Sequence, residues 1–73
     1  MIKLKYVGNP EYIEELTERT GMTKKELFKD VPFDKNYVYQ IFKGTRHTTV
    51  YTAWTIAYVM HEDINRLFTI MED

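Results

Sequence analysis

The sequence predicts an all-α domain of five short helices, spanning about 10–20, 24–31, 35–43, 49–60 and 64–71. Three observations carry this expectation. Apolar residues recur at three- and four-residue spacing, as in Ile13/Leu16, Val38/Ile41/Phe42 and Ile64/Leu67/Phe68/Met71, which is the period of a one-sided helix. Helix starts are marked by Asn9-Pro10, by Thr23 with Glu26 three residues on, and by Asp34 and Asp63. Helix ends are marked by Gly21, Pro32 and Gly44.

Residues 2–6 alternate Ile2, Leu4 and Tyr6 against Lys3 and Lys5, which fits a short half-buried strand or a disordered arm. Residues 1–9 are thus set apart as an arm or strand, with 10–73 as the domain proper. Asn9 is placed to cap the first helix, and Pro10 at its first position loses no hydrogen bond. Ile13 and Leu16, with Tyr12 and Thr20 at the margin, form its inner side. Glu11, Glu14, Glu15 and Glu18 face water, the early acids favoured by the helix dipole. Thr23 and Glu26 form a capping box, and Leu27, Phe28 and Val31 the apolar side of the second helix. Pro32 ends it, having no N–H and disfavouring a helical Val31.

Asp34 is a natural cap for the third helix, with Tyr37, Val38, Ile41 and Phe42 turned inward. From Thr48 to Met60, propensity and period conflict. The segment is rich in β-branched and aromatic residues, yet Val50, Ala53, Ala57 and Met60 fall at helical spacing, flanked by Trp54 and Ile56. Thirteen residues is long for a strand, so a helix is expected. Asp63 caps the last helix.

Seventy-three residues without cysteine enclose one core and have no disulfide or thiolate metal site to reinforce it. No apolar run approaches a membrane span, and the N-terminus lacks the apolar stretch of a signal peptide. A cytoplasmic protein is expected. Serine is absent and the two histidines lack paired spacing, so neither a nucleophile with its base nor a metal site is recognisable. No catalytic residue, cofactor or small-molecule substrate is assigned. The net charge is −1, but residues 21–49 hold six bases against three acids, a basic middle between acidic flanks. Six tyrosines, four phenylalanines and one tryptophan exceed what so small a core holds. Tyr12, Tyr39, Tyr51, Trp54 and Tyr58 are expected to be partly exposed.

The stretch from Ile13 to Phe68 resembles the Cro/repressor-type helix-turn-helix family, the XRE class, without a gap. Ile13-x-x-Leu16 and Gly21-Met22-Thr23-x-x-Glu26-Leu27 match the family's first helix and the opening of its second. Val38-x-x-Ile41-x-x-Gly44-x-Arg46 match the recognition helix and the loop after it. Val50-x-Thr52, Ile56-Ala57, Met60 and Ile64-x-x-Leu67-Phe68 match the fourth and fifth helices. The resemblance implies a lambda-repressor-like fold and supports a helical reading of 48–60. Two positions depart from it. Phe28 stands where the family has a small residue at the closest helix crossing, and Pro32 where it has glycine in the turn.

The resemblance implies a phage- or prophage-type regulator that binds operator DNA, with Lys35, Asn36, Tyr39 and Gln40 placed to reach base edges. Lys24, Lys43, Thr45, Arg46 and His47 would then touch phosphates. The alternative is an antirepressor or modulator that docks on a phage repressor protein. Its surface would comprise Glu11, Glu14, Glu15, Glu18, Asp34 and Tyr39, acids suited to covering a basic DNA-binding face. A homodimer would use the unpaired edge of the 2–6 strand or the last helix around Phe68 and Met71.

Overall fold

A computed structural model describes residues 3–72. The elements run β1 (Leu4–Gly8), α1 (Pro10–Thr20), α2 (Lys24–Leu27), α3 (Lys35–Phe42), β2 (His47–Thr48), α4 (Val50–Met60), α5 (Ile64–Leu67) and β3 (Phe68–Glu72). The domain is α+β, which overturns the all-α expectation. Its strands form one antiparallel sheet in the order β2-β1-β3.

The correction centres on the C-terminus. The helix expected over 64–71 stops at Leu67, and the chain then pairs with β1 from Gly8↔Phe68 to Leu4↔Glu72. Phe68, Thr69 and Ile70 are strand formers, and the edge of β1 offers them a full ladder of hydrogen bonds. β2 takes the other edge through Tyr6↔Thr48 and Val7↔His47. β1 is therefore the central strand and begins two residues later than expected, with β3 along one edge and β2 opposite Tyr6 and Val7 on the other. Ile2 lies outside the described residues. Phe68, offered as a dimer contact, is buried in the core, whereas Met71 is exposed on β3.

Asn9 shows why the two ends of the chain meet. Its side chain makes no cap bond to α1. Instead Nδ2 donates to Arg66 O at 2.9 Å, its backbone N–H donates to Leu67 O at 2.8 Å, and Oδ1 accepts from Thr69 Oγ1 at 2.7 Å. These bonds satisfy the last carbonyls of α5 and start β3 in register with β1.

Other boundaries obey local rules. Gly21 caps α1 at φ 72°, in the left-handed region. The Thr23/Glu26 capping box is formed in both directions. α2 ends at Leu27 rather than continuing to 31, and residues 28–34 form the link to α3. Asp34 precedes α3, but its side chain makes no cap bond. In α4 the buried face is Thr52, Ala53, Ile56 and Ala57, and Val50, expected inside, is exposed. Thr49 starts this helix by accepting from Thr52 N, which rotates Val50 outward. No helix among the described residues is long and apolar enough to cross a membrane.

A run of rings forms the spine of the core. Tyr6 meets Phe68 edge-on at 6.2 Å, Phe68 meets Phe42 at 5.3 Å, Phe42 stacks on Phe28 at 5.3 Å, and Phe28 meets Tyr39 edge-on at 5.7 Å. Ile13, Leu16, Val38, Ile41, Ile56 and Leu67 close around them. Such ring geometries favour the quadrupoles beyond simple burial.

Candidate nucleic-acid interface

α3 turns Val38, Ile41 and Phe42 into the core, so its opposite side carries Asn36, Tyr39, Gln40 and Lys43, spaced as one face of a helix. Asn36, Gln40 and Lys43 are exposed. Tyr39 is half-buried because its ring leans on Phe28. Lys35 is separated from this row. Its Nζ donates to the carbonyls of Phe28 at 2.5 Å, Val31 at 3.0 Å and Lys29 at 3.4 Å. The Phe28 carbonyl also accepts from Val31 N–H at 3.1 Å, and a cation on the carbonyls that follow α2 stabilises a helix end. In this geometry Lys35 positions α3 and does not reach outward.

The turn after α3 gathers the other polar groups. Gly44, at φ 79°, lets the chain reverse. Thr45 donates through both its backbone N–H and its hydroxyl to Gln40 O, at 3.3 and 3.1 Å. The Arg46 guanidinium lies 4.8 Å above the Tyr37 ring and donates to Gln40 Oε1 at 3.3 Å. Tyr37 is anchored in turn by a 2.6 Å hydrogen bond with Thr48 Oγ1 on β2. Sequence reasoning saw Tyr37 only as an apolar position and missed its role as a platform for Arg46. Lys43, Arg46 and His47 are exposed and, with Thr45, place three basic side chains on one short turn.

Gln40 is tied through its acceptor oxygen. A bidentate grip on adenine uses both the oxygen and the nitrogen of the amide; Oε1 has a second lone pair beside the one that Arg46 engages, so the grip can form with Arg46 in place or released. A phosphate is the natural alternative partner for the freed guanidinium.

The remaining candidates lie elsewhere. Lys24 is ion-paired with Glu14 at 2.9 Å, both side chains being well exposed. Glu11, Glu15, Glu18 and Asp34 are exposed. The Thr23 hydrogen bonds hold the Glu26 carboxyl below the ordinary glutamate value. Among the described residues, no three of His, Cys, Asp and Glu gather as a metal site. No known protein family matches this chain, and neither a curated protein nor a solved structure does.

Proposed function

We propose that this chain is a small phage- or prophage-type transcriptional regulator that binds operator DNA in the cytoplasm as part of a genetic switch. The observation that carries the reading is the exposed row Asn36, Gln40 and Lys43 on α3, continued by the basic turn of Lys43, Arg46 and His47. Amide side chains on an outward helix face suit base edges in the major groove, and the basic turn suits the flanking phosphates. The resemblance to Cro/repressor-type helix-turn-helix sequences points to the same ligand.

The test is a gel-shift of the purified chain on the DNA upstream of its own gene, alone and with the neighbouring repressor added. Gln40→Ala should lose about 1–3 kcal/mol of discrimination at one base pair. Lys43→Ala should weaken all sequences alike and reduce the salt slope by about 1. Equal losses on specific and random DNA for both variants would remove Gln40 from the reading surface.

One observation favours a second reading, docking on a repressor. A shallow groove of about 230 Å³ is floored by Leu16, Leu27, Val59 and Met60 and rimmed by Glu26, Asp30 and Glu62. Apolar floor and acidic rim complement a protein segment carrying an apolar side chain beside a lysine or arginine. Under that reading the chain leaves its promoter alone and removes the added repressor from it.

A further inference from the structure

We propose that two copies of this chain associate through the outer face of α4. The eleven residues Val50–Met60 contain no charged side chain. One side of the helix is buried in the domain. The other presents Val50, Tyr51, Trp54 and Tyr58 at 56, 70, 56 and 68% exposure. Positions 51, 54 and 58 fall three and four residues apart, and 50, 54 and 58 four and four, so all four make one stripe. A helix that is apolar on both sides is normally covered on both sides. The stripe is also pre-shaped, because Trp54 and Tyr58 stack with centroids 5.3 Å apart and planes 17° from parallel. Two rings are thereby held as a flat slab.

Charge selects the occupant. A single-stranded nucleic acid would stack on these rings only beside cations that track its phosphates, and α4 carries none. A charged protein partner would find no group on the helix to pair with. A second copy meets neither obstacle. Two neutral stripes related by a twofold axis bring no like charges together, and each copy presents the same self-complementary surface. The tyrosine hydroxyls can remain at the wet rim while the rings pack.

Area supports the same occupant. A fully covered aromatic side chain buries about 150–250 Å², so three that are more than half exposed offer roughly 300–500 Å² per copy. Val50 and the surrounding backbone bring the pair to about 1,000 Å² in total, the lower end of specific interfaces. An interface of this size belongs with the weak, reversible associations. This inference goes beyond operator binding and does not depend on what α3 contacts.

The test uses the intact chain in sedimentation equilibrium, with the emission of its one tryptophan followed on dilution. The average mass should rise from 8.8 kDa toward twice that value between about 1 and 300 µM, the range of a small interface. Trp54 emission should shift to shorter wavelength in step. Tyr58→Lys and Tyr51→Lys alter exposed positions, should keep the wild-type circular dichroism and melting, and should weaken association at least about tenfold. Met71→Lys, on exposed β3, should leave it unchanged. A monomer at every concentration would overturn the proposal. So would association abolished by Met71→Lys and untouched by Tyr58→Lys. DNA binding is read separately by fluorescence anisotropy on labelled promoter DNA. A dimer that ignores DNA refutes only operator binding, and a DNA-binding monomer refutes only the α4 interface.

Discussion

Phe28 is the residue whose removal most directly tests how α3 is held. Its side chain is completely buried, stacks on Phe42 at 11° between planes and meets Tyr39 edge-on. Burial of one phenylalanine side chain is worth about 1.5–3 kcal/mol. Each ring pair adds about 0.5–1.5 kcal/mol. Some of this returns if the end of α2 settles into the vacated space, but Lys35 bonded to the Phe28, Lys29 and Val31 carbonyls restrains such collapse. Phe28→Ala should therefore cost about 3–5 kcal/mol. A 73-residue chain has roughly 4–11 kcal/mol in total, so the variant would be marginally folded. The assay is urea unfolding followed by circular dichroism, with thermal melting alongside. The melting temperature should fall by more than about 12 °C. Phe28→Leu retains most of the volume and should cost about 1.5 kcal/mol. A change below about 1 kcal/mol for Phe28→Ala would refute the reasoning, because a buried ring cannot be removed so cheaply.

Three further outcomes follow from the same packing. A Cβ at Gly8 would stand 2.6 Å from Ile41 O and 2.7 Å from Phe42 Cδ1, so Gly8→Ala should lose about 2–3 kcal/mol in urea unfolding by forcing backbone apart; wild-type stability would mean that the sheet slides off α3 at no cost. Asn9→Ala should lose about 1–2 kcal/mol, with amide exchange accelerated first in β3. Faster exchange confined to α1 would instead make Asn9 an ordinary cap. His61 ends α4 in the left-handed region at φ 58°, a conformation that suits glycine. His61→Gly should stabilise by about 0.5–1 kcal/mol and raise the melting temperature by several degrees; a lower melting temperature would show that the imidazole contributes more than its backbone strain costs.

Much of this architecture is legible wherever local chemistry decides. The Thr23/Glu26 box, the left-handed Gly21, the inward Val38/Ile41/Phe42 triplet and the helical reading of 50–60 all follow from neighbours within four residues. The C-terminal strand is not legible in that way. Ile64, Leu67, Phe68 and Met71 sit at helical spacing, and what overrides the pattern is a ladder with residues some 60 positions away. Nor does sequence reveal the rotation of α4, because a helix apolar on every side carries no preferred inner face. Lys35 fails for a third reason. Its spacing puts it with Asn36 and Gln40, but a four-carbon stem lets the ammonium fold back onto the carbonyls after α2, where it neutralises a helix end.

These corrections bear on the candidate site, because they identify what fixes α3. A surface that reads base edges has to be held to within a fraction of an ångström by elements that do not themselves bind. At its N-terminal end α3 is tied to α2 through Lys35 and the carbonyls of Phe28, Lys29 and Val31. Along its inner side Phe42 lies against the Phe28 ring. In its first turn Tyr37 is pinned to β2 through Thr48, and at its C-terminal end the backbone of Ile41 sits against Gly8 with no room for a methyl group. Two of these ties run to the sheet, one to β1 and one to β2, and β3 pairs along the whole length of β1. The sheet therefore helps to orient α3, together with the link from α2. Phe28 itself lies just after α2, and its ring is one wall of a seat for α3 whose other wall is the sheet. Asn36 and Lys43 stand clear of every one of these ties, and Gln40 is bonded by the Arg46 guanidinium at its side chain and by Thr45 at its carbonyl. The rigid part of α3 and its polar face are thus separate sets of residues, so changes at the polar face should alter binding without loosening the fold.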